Sequence, residues 1–260
     1  MTSRTPRPGL PNLPKFQLGD SELARRIELA SEPEDEPADR PALRRAIGEF
    51  GHLFELVRRP FRKVAVEPCD KPEIVLILPG FGASPTKMRY MARQIERAGH
   101  KTKNWGLGRN WGPNDNTLDE LTARLDEVCD RYDQKVVLLG WSLGGLYARE
   151  LAKKRPGCVK KVITMGTPFS GSPRANNVWR AYQFITGHRV DKPPIKADVA
   201  EKPPVETVAL WSPNDGAIAP RSAAGYPGER DRAIALRCTH MGFSCEAEPI
   251  QAVLSELSCD

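Results

Sequence analysis

Short apolar runs alternate with longer amphipathic stretches along the chain from Pro72 onward. Most of the runs are only a few residues long and rich in valine, isoleucine and leucine, as is typical of strands buried on both faces. The longer stretches repeat apolar residues every three or four positions, which predicts helices. Strands are predicted at 73–79, 100–105, 134–140, 158–166, 205–212 and 231–238, and helices at 84–99, 117–132, 143–156 and 248–257. Such an alternation predicts an α/β fold, with a mostly parallel sheet covered by helices on both faces.

The first 70 residues follow a different pattern. Residues 1–20 are rich in proline and predict a tail without regular structure, and the acidic, proline-broken stretch 31–41 predicts a linker. Between 42 and 61, one apolar stripe predicts an amphipathic helix; its members are Leu43, Ile47, Phe50, Phe54 and Val57. We therefore divide the chain into a tail and helix at 1–70 and a second domain at 71–260. We expect the helix to pack on that domain, with a membrane-surface or dimerisation helix as alternatives.

The formal net charge of +6 falls within the second domain, because acidic and basic residues balance in the first 70. The basic stretches there carry no interleaved aromatic residues and no nucleic-acid-binding motif, so a nucleic-acid partner is not expected. Their simplest interpretation is a solvated helix face. Peripheral contact with an anionic membrane surface is the alternative.

Compartment and membrane topology are also constrained by the sequence. No apolar run approaches the roughly 20 residues that span a bilayer, and no apolar segment follows the basic N-terminus as in a secretory signal. The six cysteines are scattered without zinc-binding spacing. These features predict a cytoplasmic protein with reduced thiols, with a place at the inner face of a membrane as the alternative.

One serine stands in a special context. The segment GWSLGG, residues 140–145, lies between a predicted strand and a predicted helix. In that setting the pattern GxSxG is typical of a nucleophile elbow, in which the serine adopts a strained backbone conformation. Gly140 and Gly144 would keep bulk away where the strand and the helix approach closely. Ser142 is therefore the candidate nucleophile.

A serine nucleophile needs a base and an acid that orients the base. His240 follows the last predicted strand and Asp215 lies in a turn after the preceding one, so both are expected at the same sheet edge as Ser142. The order Ser, Asp, His is the one expected of the α/β-hydrolase arrangement. His188 is a distant second candidate for the base, while His52 and His100 are interpreted as structural or surface residues.

The reaction also needs donors for a developing oxyanion. The backbone N–H of Leu143, directly after the serine, is one candidate. The second is expected in PGFGAS, after the first strong strand, where Phe81 N–H is favoured and Gly82 is a near alternative.

Together, PGFGAS, GWSLGG, SPNDG and CTHMG resemble the α/β-hydrolase superfamily, on its serine lipase and esterase side. The stretch NWGLGRNWGP is similar to bacterial lipase-like members, and the likeness covers residues 72–258. Lipases commonly have His-Gly in the oxyanion loop and a histidine before the nucleophile, where this chain has Pro79-Gly80 and Trp141. Neither departure removes a catalytic atom, so both bear on substrate choice. The resemblance implies a catalytic triad, and the superfamily also includes acyltransferases and thioesterases.

A cap is expected to cover the site between about 168 and 204, with a short helix and an apolar underside. Its aromatic residues Phe169, Trp179 and Tyr182 either line an acyl pocket or pack within the cap. The loop around GLGRNWGPN is expected at the same edge, and the remaining candidate substrate contacts are Gly82, Trp105, Arg109, Trp111 and Trp141.

The sequence thus predicts an α/β-hydrolase fold with a short cap insertion and an N-terminal helical extension. The predicted function is a serine hydrolase that cleaves small-molecule or lipid carboxylic esters through an acyl-enzyme, and no metal or organic cofactor is implied. An acyltransferase or thioesterase using the same triad is one alternative. A non-catalytic lipid-binding or scaffold protein is the other. The sequence leaves the oligomeric state open.

Overall fold

The computed structural model describes residues 20–33, 38–49, 64–195 and 198–258, and a parallel sheet lies at its centre. Within those ranges the strands are β1 (Ile74–Leu78), β2 (Lys101–Asn104), β3 (Val136–Trp141), β4 (Val159–Met165), β5 (Glu206–Trp211) and β6 (Arg232–Ala235). They follow the order β2-β1-β3-β4-β5-β6, and each neighbouring pair is parallel. The sheet predicted from the apolar runs is confirmed.

Helices surround the sheet. They are α1 (Asp20–Ser31), α2 (Leu43–Gly48), α3 (Arg89–Arg97), α4 (Thr117–Tyr132), α5 (Leu143–Lys154), α6 (Trp179–Thr186), α7 (Pro220–Ala224) and α8 (Ala247–Ser258), with 3-10 turns at Pro85–Met88 and Met241–Ser244. Helices α3, α4, α5 and α8 match the four predicted between 84 and 257. The short elements α7 and the two 3-10 turns were not predicted separately, because one turn of helix leaves no repeating apolar pattern.

Apolar side chains on both faces of β1 explain why this strand is a continuous apolar run. Val75 and Ile77 pack in a core with helices α3 and α8, whereas Leu76 and Leu78 pack in a second core with α4 and α5. Each such side chain, when fully buried, stabilises the fold by about 1.5–3 kcal/mol before the loss of conformational entropy. The two cores hold the sheet between its helical layers, as the predicted fold class requires.

The N-terminal extension contains a helix that the sequence did not predict. Helix α1 packs against α6, yet its apolar residues Leu23 and Ile27 are exposed. Hydrogen bonds attach α1 to α6 instead. Arg26 Nη1 donates to the Ile185 carbonyl and Gln183 Nε2 donates to the Leu29 carbonyl, both at 2.5 Å. A helix held by hydrogen bonds shows no strong apolar stripe, which is why the apolar pattern did not reveal it.

Parts of the predicted extension fall outside the described residues. The predicted helix at 42–61 is seen only as α2, while Phe50, Phe54, Val57 and the tail at 1–19 are not described. The division of the chain near residue 70 therefore stays a prediction. No helix in the described part combines the length and the apolar character needed to cross a membrane.

The parallel sheet has a direct consequence for the predicted site. The carboxyl ends of β1, β3, β5 and β6 all lie at one edge of the sheet. The loops that follow these strands carry Phe81, Ser142, Asp215 and His240. Open parallel sheets bind their ligands at this edge.

Candidate active site

Ser142 occupies the turn between β3 and α5 in a strained backbone conformation. Its φ is 53° and its ψ is −123°, a region that side-chain-bearing residues rarely adopt. Strain of this kind costs on the order of 1–3 kcal/mol and persists where the surroundings enforce it, often at a functional site. The residue is 8% exposed. The conformation predicted for the serine is confirmed.

Close packing at the turn explains the flanking glycines. A Cβ added to Gly140 would lie 2.4 Å from Gly145 Cα, and one added to Gly144 would lie 2.3 Å from the Leu78 carbonyl oxygen. Both neighbours are backbone atoms, which cannot rotate away. Helix α5 can therefore approach both β3 and β1 this closely only when glycine stands at these positions.

Replacing Gly144 with alanine is expected to destabilise the fold by about 1–3 kcal/mol or more, because the new methyl group overlaps the β1 backbone. The free energy of unfolding in urea measures the effect. Gly157→Ala is the matched control, since an added Cβ there has no neighbour within 4 Å. Equal stability of the two variants would contradict the packing argument.

Asp215 and His240 form a buried pair. Asp215 Oδ1 accepts the backbone N–H groups of Ala217 and Ile218, both at 2.8 Å, and Oδ2 lies 2.8 Å from His240 Nδ1. Asp215 is fully buried and His240 is 7% exposed. Because an ionised carboxylate only accepts hydrogen bonds, the pair assigns the proton to Nδ1 and leaves Nε2 as the acceptor.

The surroundings of His240 act on its pKa in opposite directions. Burial, the largest single effect, lowers the pKa of the imidazole because it disfavours the charged form. The charge and hydrogen bond of Asp215, together with the charge of Glu49, act the other way and prevail, so the pKa is raised above its ordinary value. The Asp215 carboxylate therefore stabilises an imidazolium at this position.

His240 and Ser142 line the same cleft, and Trp141 lies beside both. The Trp141 indole N–H donates to the His240 carbonyl oxygen at 3.2 Å, and its ring centroid lies 5.6 Å from that of the imidazole. Trp141 thus anchors the loop that carries the histidine. Within the described residues the Ser142 hydroxyl has no hydrogen-bond partner; such bonds often tighten only when substrate is bound.

The predicted oxyanion loop is held by Asn110, which the sequence analysis missed. This fully buried side chain donates through Nδ2 to the Pro79 carbonyl at 2.8 Å. The backbone carbonyl oxygen of Asn110 also accepts the Gly82 N–H at 2.6 Å. Since that bond occupies the Gly82 donor, the geometry favours Phe81 N–H over Gly82 N–H as the oxyanion donor beside Leu143 N–H. Asparagine in a loop has many structural uses, so no sequence signal singled it out.

Two cavities meet at Ser142 and Phe81. A narrow one of about 210 Å³ lies under the cap and is lined mostly by apolar residues, among them Leu143, Trp179 and Tyr182. The other is an open cleft of about 880 Å³. Of the predicted substrate contacts, Trp179 and Tyr182 line the narrow cavity and Gly82, Arg109 and Trp141 line the cleft.

Three other predicted substrate contacts line neither cavity formed by the described residues. Trp105 is buried and stacks on Tyr147 at 6.2 Å in the second core. Phe169 is fully buried beneath the guanidinium of Arg149. Trp111 is 37% exposed and stacks with Arg109. Each ring is engaged in packing or lies against a surface arginine, and a substrate contact of these three residues stays a prediction.

The remaining histidines in the described part lie elsewhere. His100 precedes β2 at the opposite edge of the sheet, where its Nδ1 accepts the Glu73 N–H at 3.0 Å, and burial lowers its pKa. His188 lies in the cap, after α6, and lines neither cavity. In the same described ranges no group of three or more His, Cys, Asp or Glu side chains is arranged to hold a metal ion.

Comparisons with known proteins give matches to hydrolases and esterases. Residues 65–193 match a family model described as the alpha/beta hydrolase fold. A pimeloyl-[acyl-carrier protein] methyl ester esterase of Cronobacter sakazakii is 33% identical over 97 residues, 36% of each chain. One from Salmonella heidelberg is 37% identical over 62 residues, 24% of this chain and 23% of the relative. The chain thus spans about a third or less of the length of these curated relatives.

Solved structures resemble the chain over a larger share of its length. The mature form of the Bacillus licheniformis lipase BlEst2 has a TM-score of 0.53 at 16% identity, covering 75% of this chain and 96% of that one. An alpha/beta hydrolase enzyme from a lagoon-sediment metagenome has a TM-score of 0.51 at 19% identity, covering 75% and 97%. At such identities the likeness concerns the fold.

Proposed function

The chain is an α/β hydrolase by fold, and we propose from this premise that it is a serine hydrolase that cleaves carboxylic esters. One observation carries the proposal: Ser142 adopts a strained elbow conformation in a cleft that also contains His240, whose Nδ1 lies 2.8 Å from a buried carboxylate. The curated relatives, which match the chain over short stretches, are named as esterases, and this agrees with the proposal.

In the proposed mechanism, Ser142 Oγ attacks the ester carbonyl carbon while His240 Nε2 accepts the hydroxyl proton. Asp215 holds Nδ1–H and stabilises the imidazolium that forms. When the tetrahedral intermediate collapses, the C–O bond to the alcohol breaks and His240 returns the proton to the leaving oxygen. Water then attacks the acyl-enzyme with the same proton transfers, which releases the acid and restores Ser142.

Backbone donors would stabilise the negative oxygen of that intermediate. Leu143 is the first residue of α5, so its N–H points outward from the positive end of the helix dipole. Phe81 provides the second N–H from the loop that Asn110 holds. Removing one such donor from an oxyanion hole typically costs about 10²–10³ in kcat.

The shapes of the two cavities suggest how an ester is oriented. The narrow apolar cavity under the cap suits the acyl chain, because burying methylene groups there is favourable by about 0.8 kcal/mol each. The open cleft, lined by Arg109, Lys87 and Thr86 among others, suits a polar alcohol portion. The proposed substrates are therefore esters of apolar carboxylic acids with a small or polar alcohol.

Leu146→Trp tests this orientation, because Leu146 lines the narrow cavity. The larger side chain is expected to lower kcat/KM for p-nitrophenyl octanoate about tenfold or more, since lost space for even one methylene costs about 1–3 kcal/mol. The kcat/KM for p-nitrophenyl acetate is expected to change less than threefold. Leu107→Trp is the control, as Leu107 packs against the second core. Equal losses on both esters would place the acyl chain elsewhere.

Covalent labelling tests the proposed function itself. A fluorophosphonate probe is expected to label the wild-type chain at Ser142, and p-nitrophenyl esters are expected to release p-nitrophenol. If the probe labels Ser142 but no free carboxylic acid forms in water, and a new ester forms when an alcohol is added, the protein is an acyltransferase. Absence of both labelling and turnover would favour a non-catalytic binding protein.

A further inference from the structure

The N-terminal segment reaches into the candidate active site. Glu49, directly after α2, lines the open cleft together with Ser142 and His240. The backbone of α2 packs closely against the loop after β5: a Cβ added to Gly216 would lie 2.4 Å from the Arg45 carbonyl oxygen. The residues that follow Asp215 are therefore in contact with a segment about 170 positions earlier in the chain.

The Glu49 carboxylate joins two loops. Its Oε1 accepts the Gly216 N–H at 2.9 Å and the His240 N–H at 2.7 Å, and its Oε2 accepts the Met241 N–H at 2.9 Å. Gly216 follows Asp215 in the loop after β5, whereas His240 and Met241 belong to the loop after β6. One side chain thus fastens the loop of the acid to the loop of the base.

We propose that Glu49 is a positioning residue for the Asp215–His240 pair, so that the N-terminal segment completes the active site. The proposal rests on the proposed function and extends it, since it assigns a role to a segment outside the hydrolase motifs. A shift of about 1 Å between two catalytic groups can cost 10²-fold in rate. Three charge-assisted hydrogen bonds to the two loops oppose such a shift.

The charge of Glu49 gives this role a distinct signature. The charged groups that act on His240 are Asp215, from the loop after β5, and Glu49, from the N-terminal segment. The aromatic rings that pack against the imidazole, Trp141 and Phe243, carry no charge. Both carboxylates favour the imidazolium, so removing the charge of Glu49 lowers the pKa of His240. A base acts in its neutral form, and the acid limb of the pH profile of kcat/KM therefore moves to lower pH.

Two substitutions separate the charge from the hydrogen bonds. Glu49→Gln removes the charge but keeps one acceptor oxygen, and Glu49→Ala removes everything. Both are expected to move the acid limb of the kcat/KM profile down by about 0.5–1 pH unit, the effect of one charge a few ångströms away. The plateau of kcat/KM is expected to fall about tenfold in Glu49→Gln and about 10²-fold in Glu49→Ala.

Glu32→Gln is the matched control. Glu32 is another carboxylate of the N-terminal segment, and it pairs with Arg174 and Arg189 of the cap at 3.2 and 3.1 Å. Its loss is expected to loosen the segment and lower the melting temperature without moving the acid limb. If the Glu49 variants leave the acid limb in place, as this control does, and lower only the plateau and the melting temperature, Glu49 is a structural residue and the proposal is overturned.

A direct titration makes the test independent of activity. The pKa of His240 is followed by NMR of its imidazole Cε1–H, assigned by the loss of that signal in His240→Asn. A pKa in Glu49→Gln equal to that of the wild type would overturn the proposal even if no ester is hydrolysed. Conversely, a lowered pKa in a chain that neither labels nor turns over would support the role of Glu49 and reject the proposed function.

Discussion

Replacing Ser142 with alanine is expected to reduce the kcat of ester hydrolysis by about 10³-fold or more. The change removes the attacking oxygen but keeps the Cβ, so the backbone strain at φ 53° is unchanged. The hydroxyl has no hydrogen-bond partner within the described residues, and its removal therefore leaves no group unsatisfied. Stability should stay within about 0.5 kcal/mol of the wild type.

Ser170→Ala is the matched control for this variant. Ser170 is also buried, and its hydroxyl likewise lacks a partner in the described part of the chain. Release of p-nitrophenol, fluorophosphonate labelling and melting temperature are measured for both variants. Retained turnover in Ser142→Ala would show that the nucleophile is another residue.

Asp215→Asn is expected to lower kcat by about 10⁴-fold, as the loss of the orienting acid does where a triad operates. The amide oxygen can still accept the N–H groups of Ala217 and Ile218. The amide nitrogen then faces His240 Nδ1 as a donor, which moves the imidazole proton to Nε2. A histidine in that tautomer cannot accept the proton of Ser142.

Asp231→Asn separates this effect from a general loss of stability. Asp231 also accepts a backbone N–H, that of Thr207 at 2.8 Å, but it lies at the opposite end of β5. This variant is expected to keep the wild-type kcat with a lower melting temperature. The assignment of the acid is wrong if Asp215→Asn loses less than tenfold in kcat at saturating substrate.

Much of the fold could be predicted from local pattern. The apolar run of β1 and the amphipathic repeat of α4 are strong signals, and the predicted span 117–132 matches α4. Parallel strands also bring their carboxyl ends to one edge, so Ser142, Asp215 and His240 could be assigned to that edge from sequence order. The contact between His240 and Asp215 was observed at 2.8 Å. Their catalytic roles, and that of Ser142, stay predictions.

The three predicted substrate contacts that line neither cavity share one property. Trp105, Trp111 and Phe169 lie in irregular segments, where the sequence has no period that separates a core ring from a cavity wall. Whether such a ring packs inward depends on partners distant in the chain: Tyr147 stacks on Trp105, and Arg149 covers Phe169. An aromatic residue in a loop is compatible with either outcome until those partners are known.

The sequence by itself determined the parallel sheet, its helices and the candidate nucleophile, because short-range periodicity and the glycines of the elbow specify them locally. Only the tertiary structure decided which contacts the N-terminal extension makes with the loops of the candidate site. Glu49 and Asn110 act through hydrogen bonds to backbone groups of other loops. Backbone N–H and C=O groups are the same at every residue, so such bonds leave no mark on the sequence of the partner. They exist only when the fold brings the two segments within about 3 Å.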